Sequence, residues 1–199
     1  MPPTRPGANA SERELIDRAQ SGDTSCFDRL VEAHHSTLYN AAYRMLGDSS
    51  SAADATQVAL VRAWEALSSF RGDSAFTTWL YRIVMNVCLD EIRRRRGQPV
   101  SLVAEDAEED ELEERDIPDE SDEPGMRAEQ RERQEIVQAA IGRLPEDYRA
   151  IIVLYDIRGL SYQDISVALE IPLGTVKSRL NRARNALRDE MAPHLELFR

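Results

Sequence analysis

Apolar residues recur at helical spacing along most of the chain, and no segment alternates every second residue as a half-buried strand does. Together with capping and breaking residues, this pattern predicts helices over 11–20, 25–35, 36–46, 50–70, 77–97, 126–144, 145–158, 161–169 and 172–188. Gly47 and Gly159 are expected to end helices, and Ser161 with Asp164 forms a near capping box that begins one. The predicted fold class is therefore all-α.

Two of the predicted helices have a clear apolar side. In the 50–70 helix, the residues expected to pack inward are spaced three apart: Val58, Val61, Trp64 and Leu67. In the 77–97 helix, the apolar stripe comprises Leu80, Ile83, Val84 and Val87. Polar side chains share its opposite side: Arg82, Asn86, Asp90 and Arg93. The arginines at 93–96 extend the positive charge at the end of this helix, where cations also suit the helix dipole.

Aromatic residues gather around the start of the 77–97 helix. They are Phe70, Phe76, Trp79 and Tyr81. Rings beside basic side chains suit single-stranded DNA, because unpaired bases stack on the rings and phosphates pair with the cations. The alternative is that the rings belong to the core, and for Phe76 and Trp79 the core interpretation is preferred.

The net charge of −11 argues against nucleic-acid binding until the acids are located. Residues 101–123 hold thirteen acids and one arginine, a net −12, which leaves a net charge of +1 for the rest of the chain. This segment lacks periodicity and is flanked by prolines, so it is predicted to be a flexible linker. The predicted divisions are a disordered N-terminus, a first domain, an acidic linker, a second domain and a tail: 1–10, 11–96, 97–125, 126–190 and 191–199.

Several function classes find no support in the sequence. Cys26 and Cys88 lie far apart and lack metal-ligand spacing, so they are expected to be buried free thiols. No apolar run reaches the roughly 18 residues of a membrane span, and the N-terminus has no hydrophobic signal core. No Gly-rich phosphate loop, metal cluster or nucleophile–base pair is present. We therefore expect a cytoplasmic protein with no membrane insertion, no catalysis, no metal and no cofactor.

Residues 160–187 read as two short helices joined by a tight turn at Ile171 and Pro172. In the second helix one stripe is apolar: Val176, Leu180, Ala183 and Leu187. The opposite face is polar: Lys177, Ser178, Asn181, Arg182 and Asn185. Residues 175–188 contain five basic residues and no acid. The pattern suits a helix in a DNA major groove, and the short preceding helix favours this over a solvated surface helix.

These adjoining motifs together resemble the bacterial RNA polymerase sigma factors of the extracytoplasmic-function (ECF) group, in the sigma-70 family. DATQVALVRAW and FTTWLYRIVMNVCLDEIRR resemble the second conserved region of that family. The run from LPEDYRAIIVLYDIRG through GTVKSRLNRARNAL resembles its fourth region. The resemblance implies two small helical domains that bind core RNA polymerase, help melt the −10 element and direct initiation, with stress-response genes as the expected targets.

The resemblance also implies roles for individual residues. Those expected to read the −35 duplex are Thr175, Lys177, Ser178, Arg179, Asn181 and Arg182. Those expected to bind the single-stranded −10 element are Ser68, Ser69, Phe70, Arg71, Gly72, Asp73, Ser74, Arg82, Asn86 and Arg93. Those expected to contact core polymerase are Asp54, Gln57, Val61, Arg62, Trp64 and Glu65. The implied partners are the β and β′ subunits of core polymerase, promoter DNA and an anti-sigma factor.

The alternative is a helix-turn-helix regulator that binds duplex DNA without polymerase. It explains residues 145–188 but leaves the first predicted domain without a role. Whether specific promoter binding requires core polymerase separates the two hypotheses. A hydrolase or transferase is a third hypothesis, for which no motif was found.

Overall fold

The computed structural model describes residues 10–97 and 124–198. The predicted disordered N-terminus and acidic linker lie outside the described residues, apart from a few positions at their edges. The described residues are almost entirely helical and contain no strand, so the all-α prediction is confirmed.

The first half of the chain contains four α-helices. They are α1 (Ala10–Gln20), α2 (Thr24–Leu46), α3 (Ser49–Ala66) and α4 (Phe76–Gly97). A 3₁₀ turn, Leu67–Ser69, follows α3 and leads into the loop before α4. Helix α2 is central, since α1, α3 and α4 all pack against it.

The second half contains four further α-helices. They are α5 (Pro124–Arg143), α6 (Glu146–Ile152), α7 (Tyr162–Ala168) and α8 (Leu173–Met191). A π-helical turn, Val153–Ile157, follows α6, and a 3₁₀ turn, Ala192–Phe198, follows α8. Helix α8 packs on α5, α6 and α7.

The helix ends follow the capping residues of the sequence. Gly47 takes the left-handed conformation at φ 84° after α2, and its N–H donates to the Tyr43 carbonyl at 2.8 Å. The Ser161 hydroxyl accepts the N–H of Asp164 at 3.1 Å at the start of α7. Two caps were not predicted, Asp23 before α2 and Asp48 before α3, each accepting a backbone N–H.

Helix α2 is one continuous helix, so the prediction of separate helices over 25–35 and 36–46 was wrong. The polar run between them contains neither glycine nor proline, and the helical backbone passes through it unbroken. His34 there is half-buried and its Nε2 lies 3.2 Å from a Glu12 carboxylate oxygen on α1. The polar run therefore marks the outer side of a long helix.

The predicted inward face of α3 was also wrong. Val58, Val61 and Trp64 are exposed, at 43%, 54% and 37%, whereas Leu67 is buried. A step of three residues falls about 60° short of a full helical turn, so residues spaced three apart wander across the surface. The side chains that actually pack inward follow the helical period and are small: Ala52, Ala55, Thr56, Ala59 and Ala63.

The two halves of the chain pack against each other. Helix α7 lies against α4, and α5, α6 and the π turn lie against α2. Buried side chains of both halves form one continuous apolar cluster, from Ile16 on α1 to Ala183 on α8. The sequence predicted two helical domains but gave no indication of this contact.

Candidate nucleic-acid interface

Helix α8 packs on one side and presents polar groups on the other, as its pattern predicts. Val176, Leu180 and Ala183 are buried against the rest of the second half. Four of the predicted −35 residues are exposed together at helical spacing: Lys177, Ser178, Asn181 and Arg182. This face can offer a cation, a hydroxyl, an amide and a guanidinium to the edges of base pairs.

The other two predicted −35 residues are placed differently. Arg179 is half-buried and its guanidinium lies 3.2 Å from an Asp147 carboxylate oxygen on α6. Thr175 is half-buried in the first turn of α8. The sequence gave no signal for the Arg179–Asp147 pair, because its members lie on different helices.

The turn between α7 and α8 is held by a side-chain hydrogen bond. The Ser166 hydroxyl donates to the Ile171 carbonyl at 2.6 Å, and Pro172 is the N-cap residue of α8, where no amide donor is needed. Glu170 lies in the turn with φ 54°, in the left-handed region. The side chain of Ile165 on α7 is fully buried beneath the turn, which fixes α7 relative to α8.

The predicted −10 loop, residues 68–74, is anchored from α1. The side-chain amide of Gln20 donates to the carbonyls of Leu67 at 2.9 Å and Phe70 at 2.8 Å. Gly72 is buried with φ 71°, a conformation that favours glycine. The exposed loop members are Ser68, Ser69, Arg71 and Asp73, whereas Phe70 and Ser74 are half-buried. Gln20 was missed because it precedes the loop by about 50 residues.

Three of the four aromatic residues belong to the core. Phe76, Trp79 and Tyr81 are 2%, 5% and 3% exposed. The half-buried Phe70 ring lies 5.4 Å from Phe76 and 5.2 Å from Trp79 between ring centroids. The core interpretation preferred for Phe76 and Trp79 is confirmed, and Phe70 is the aromatic ring left at the loop surface.

The predicted −10 side chains of α4 include two that form ion pairs with the second half. Arg82 lies 3.4 Å from a Glu170 carboxylate oxygen, and Arg93 lies 3.6 Å from one of Glu146. Asn86 is exposed between them. The sequence did not predict the acidic partners.

The run of four arginines at the end of α4 is fully paired with acids. Arg94 and Arg95 both bond Glu91, and these two guanidinium bonds lower the pKa of Glu91. Arg93 and Arg96 both contact Glu146. The cluster predicted as extra positive charge is therefore largely neutralised in this conformation.

The predicted polymerase-contacting residues share the outer side of α3 and are all exposed: Asp54, Gln57, Val61, Arg62, Trp64 and Glu65. Val58, Val61 and Trp64 form an apolar strip on this side. Charged and polar side chains border the strip: Asp54, Gln57, Arg62 and Glu65. The Trp64 ring also contacts Phe27 on α2, with centroids 5.1 Å apart. Exposed large apolar side chains bordered by charges are typical of a protein-binding surface.

Neither metal nor membrane chemistry adds to this picture. Among the described residues there is no cluster of His, Cys, Asp and Glu side chains that could hold a metal ion. None of the helices in the described ranges 10–97 and 124–198 is both long enough and apolar enough to span a bilayer.

Comparison with known proteins decides the family. A family model described as Sigma-70 region 2 matches residues 30–98, and one described as Sigma-70, region 4 matches residues 134–187. The RNA polymerase sigma-H factor of Pseudomonas aeruginosa is 39% identical over 188 residues, which cover 92% of this chain and 95% of that protein. The chain belongs to the sigma-70 family, in its ECF group. The ECF RNA polymerase sigma-E factor of Escherichia coli K12 is 35% identical over 183 residues, 92% of this chain and 95% of that protein.

Solved structures share the fold of this sigma factor. CnrH, in complex with the cytosolic domain of CnrY, matches with a TM-score of 0.66 and 27% identity, over 92% of this chain and 99% of that one. The sigma factor RpoE of Bartonella quintana, in complex with the anti-sigma factor NepR, matches with a TM-score of 0.61 and 24% identity, over 83% of this chain and 96% of that one.

The chain is thus an alternative sigma factor that directs transcription, with core RNA polymerase and promoter DNA as its partners. The region 2 match accounts for the first half of the chain, which a helix-turn-helix regulator acting alone leaves without a role. That alternative is not favoured. The relatives reported above are sigma factors.

Proposed function

We propose that this ECF sigma factor meets one promoter in two states of the DNA. Helix α8 reads the −35 element as a duplex, and the loop 68–74 with α4 binds the −10 element as an opened strand. The observation that carries the −35 assignment is the exposed face of Lys177, Ser178, Asn181 and Arg182 on a helix whose other side is packed. A major groove presents a distinct donor and acceptor pattern for each base pair, which such a face can read.

The −10 assignment is supported by the anchored loop. Flipping a base out of the duplex costs a few kcal/mol, which a shaped pocket offsets for one base at a time. Gln20 fixes the start of the loop, and buried Gly72 allows a tight turn. Arg82, Asn86 and Arg93 on α4 would meet the adjoining phosphates and bases. The domain limits 11–96 and 126–190 belong to this proposal.

Core polymerase is proposed to bind the strip on α3. Val58, Val61 and Trp64 are large, apolar and exposed, and Arg62 and Glu65 border them. Alanines fill the inward side of α3, so the fold does not need Val58 or Val61, whereas the Trp64 ring also packs on Phe27. The same strip is a candidate surface for an anti-sigma factor, because the similar protein CnrH was solved with a cytosolic partner domain.

The remaining parts of the proposal follow from the family. The sigma factor acts in the cytoplasm, where its DNA lies, and selects start sites without catalysing a reaction. Stress-response genes as its targets remain a prediction from the resemblance.

Run-off transcription tests the proposal. Purified core polymerase lacking any other sigma factor is supplied with this chain and a library of genomic fragments, and start sites are mapped. Shared motifs upstream of those sites are expected. The variants Asn181→Ala and Arg182→Ala should lose dependence on the upstream motif, whereas Arg29→Ala, an exposed arginine on α2, should not.

Two results would overturn the proposal. One is unchanged start-site choice in both α8 variants. The other is binding of promoter duplex by the chain alone that is as tight and as specific as binding by the chain with core polymerase, which would restore the regulator hypothesis.

A further inference from the structure

Acidic side chains of the second half lie on the face of α4 that is proposed to bind the −10 strand. Glu170, in the turn before α8, has a carboxylate oxygen 3.4 Å from the Arg82 guanidinium. Asp164 on α7 accepts a hydrogen bond from the Thr78 hydroxyl at 3.1 Å. Both contacts cross between the halves of the chain, and α7 lies directly against α4 around them.

A third acid, Glu146, occupies the end of the same face. Its carboxylate lies 2.6 Å from the Arg96 guanidinium and 3.6 Å from that of Arg93. DNA phosphates bind to just such exposed guanidinium groups. In this conformation, carboxylates of the second half take the place that phosphates would take.

The backbone at Glu170 shows that its position is tightly specified. Among the described residues, Glu170 is the only non-glycine with a positive φ. A side chain with a Cβ adopts this region at a cost of about 1 kcal/mol. The turn accepts that cost at the residue whose carboxylate reaches Arg82.

The other contact between the halves is at the C-terminal end of α2. The amide of Gln138 on α5 lies 3.4 Å from the carbonyls of Tyr43 and Arg44, and Arg149 on α6 donates to the carbonyl of Met45. The last carbonyls of a helix have no partner within the helix and carry the negative end of its dipole. Donors from the second half therefore add to the Gly47 N–H in satisfying the end of α2.

Two arginines of the second half, Arg149 (buried) and Arg158 (half-buried), lie at this contact without a carboxylate partner. Arg149 bonds the carbonyls of Met45, Gly142 and Leu144, and Arg158 bonds that of Thr37 on α2. The Nε groups of Arg149 and Arg158 are buried without a hydrogen-bond partner. Burial lowers the pKa of Arg149, because the charged guanidinium has lost water. Opening would return both cations to solvent, so this contact is suited to come apart.

One promoter cannot be bound at both elements in this conformation. The −10 and −35 elements are centred about 25 base pairs apart, which is about 85 Å of duplex at 3.4 Å per step. Here α7 of the helix-turn-helix touches α4. The two halves must separate before α4 and α8 can reach their elements together.

We propose that the free sigma factor is closed, with Glu146, Asp164 and Glu170 occupying the −10 face of α4 as an internal substitute for DNA phosphates. The occlusion rests on the proposed −10 role of α4, whereas the docking of the halves does not. The outer side of α3 and the −35 face of α8 stay exposed in the closed chain. The closed chain can therefore bind polymerase first, and the −10 face becomes available only after the halves open.

A distance measurement on the full chain tests the docking. Spin labels are attached at Ala33→Cys on α2 and Asp189→Cys on α8, both exposed positions, while the native Cys26 and Cys88 are buried. Double electron–electron resonance then reports the separation of the halves. The variant carries Glu146→Gln, Asp164→Asn and Glu170→Asn, where asparagine tolerates the left-handed conformation at 170. Its matched control carries Asp17→Asn, Asp28→Asn and Glu32→Gln, three exposed acids in the first half.

The free wild-type chain and the control are expected to give one short distance. The triple variant should shift toward long distances by about tenfold in the open-to-closed ratio, given the usual strength of three partly exposed polar pairs. A long distance in the free wild-type chain overturns the proposal. An unchanged distance in the triple variant, with its helix content intact by circular dichroism, also overturns it.

The run-off assay maps promoters, from which a −10 non-template strand and a −35 duplex are prepared. Binding of these two fragments separates the docking of the halves from the proposed −10 role of α4. The triple variant should bind the −10 non-template strand about tenfold more tightly than the control, and the −35 duplex equally well. A longer distance with unchanged binding of the −10 strand supports the docking and overturns the −10 role of α4. Tighter binding of both fragments overturns the proposal, because it reports only the loss of local repulsion between DNA and these three acids, which needs no opening of the halves.

A charge exchange tests the Arg82–Glu170 contact directly. Glu170→Lys should lengthen the label distance, and adding Arg82→Glu should shorten it again. Only the distance is read here, since Arg82 belongs to the proposed DNA face. Failure of the second substitution to shorten the distance overturns the assignment of this pair to the closed state.

Discussion

The side-chain amide of Gln20 on α1 lies 2.8 Å from the carbonyl oxygen of Phe70, at the start of the loop proposed to capture the −10 strand. Gln20→Leu keeps a side chain of similar size but leaves this carbonyl and that of Leu67 without their donor. We expect a loss of about 1–2 kcal/mol in the free energy of unfolding, and weaker promoter melting. Urea denaturation and permanganate reactivity of the opened promoter measure the two effects.

Gln163→Leu, at an exposed position on α7, is the matched control for Gln20→Leu and should change neither quantity. Equal behaviour of the two variants would show that the loop does not depend on its bond to α1.

The inward side of α3 is filled by alanines, so it should not accept larger side chains. Ala59→Leu places extra atoms where the side chain is 3% exposed, and we expect a loss of about 1–3 kcal/mol in the free energy of unfolding. Ala53→Leu makes the same change at an exposed position of the same helix and should shift stability by less than about 0.5 kcal/mol. Thermal and urea unfolding compare the pair, and equal losses would contradict the packing described here.

Cys88 should be unreactive in the folded protein. Burial raises the pKa of its thiol to about 12, so at pH 8 only about one molecule in ten thousand carries the thiolate. A thiol reagent such as DTNB should modify neither native cysteine of the folded chain within minutes. It should modify both in urea, and Ala33→Cys should react rapidly without urea. Rapid reaction of the native chain would show that the core opens readily.

The same pKa shift predicts a dependence of stability on pH. The unfolded thiol ionises near pH 9, whereas the folded thiol holds its proton to about pH 12. The stabilisation is therefore complete below about pH 9 and is lost as the pH rises from 9 to 12. Cys88→Ala should reduce the slope of the unfolding free energy with pH across that range. An unchanged slope would mean that other groups cause the pH dependence of stability in this range.

Arg182 and Arg179 should differ although they lie on the same helix. Arg182 is exposed, and Arg182→Ala should weaken binding of the −35 duplex about tenfold. It should also reduce the slope of the logarithm of the binding constant against the logarithm of the salt concentration by about one. Arg179 is already paired with Asp147, so Arg179→Ala should weaken binding less. Fluorescence anisotropy at several salt concentrations measures both, with Arg29→Ala as control. A larger effect at Arg179 would mean that its pair with Asp147 breaks on DNA.

The sequence predicted features that depend on neighbouring residues. The glycine ends at Gly47 and Gly159, the cap at Ser161 and the two-sided α8 were all evident, because each is specified within a few residues. The long-range contacts were not evident, since Glu146 meets Arg96 across 50 residues and Gln20 meets Phe70 across the same distance. No local pattern records such pairs.

The error on α3 has a different cause. The inward face of a helix is predicted from the positions of its large apolar residues. Alanine is only weakly apolar, so a face made of alanines is not recognised in the pattern. In this chain Val58, Val61 and Trp64 are turned outward, and the alanines bring α3 close to its neighbours. The sequence assigned Val61 and Trp64 both to the inward side of α3 and to the contact with core polymerase. Both side chains are exposed, so only the contact with polymerase is still a prediction for them.

The alanine side of α3 has a consequence for how this protein can change over evolutionary time. Because Val58 and Val61 contribute little to the interior, their replacement alters what the helix recognises while leaving the free energy of unfolding nearly constant. Selection can therefore retune affinity for the transcription machinery, or for an inhibitor competing for the same strip, without endangering the scaffold. A duplicated gene could diverge at this helix long before its core had to follow.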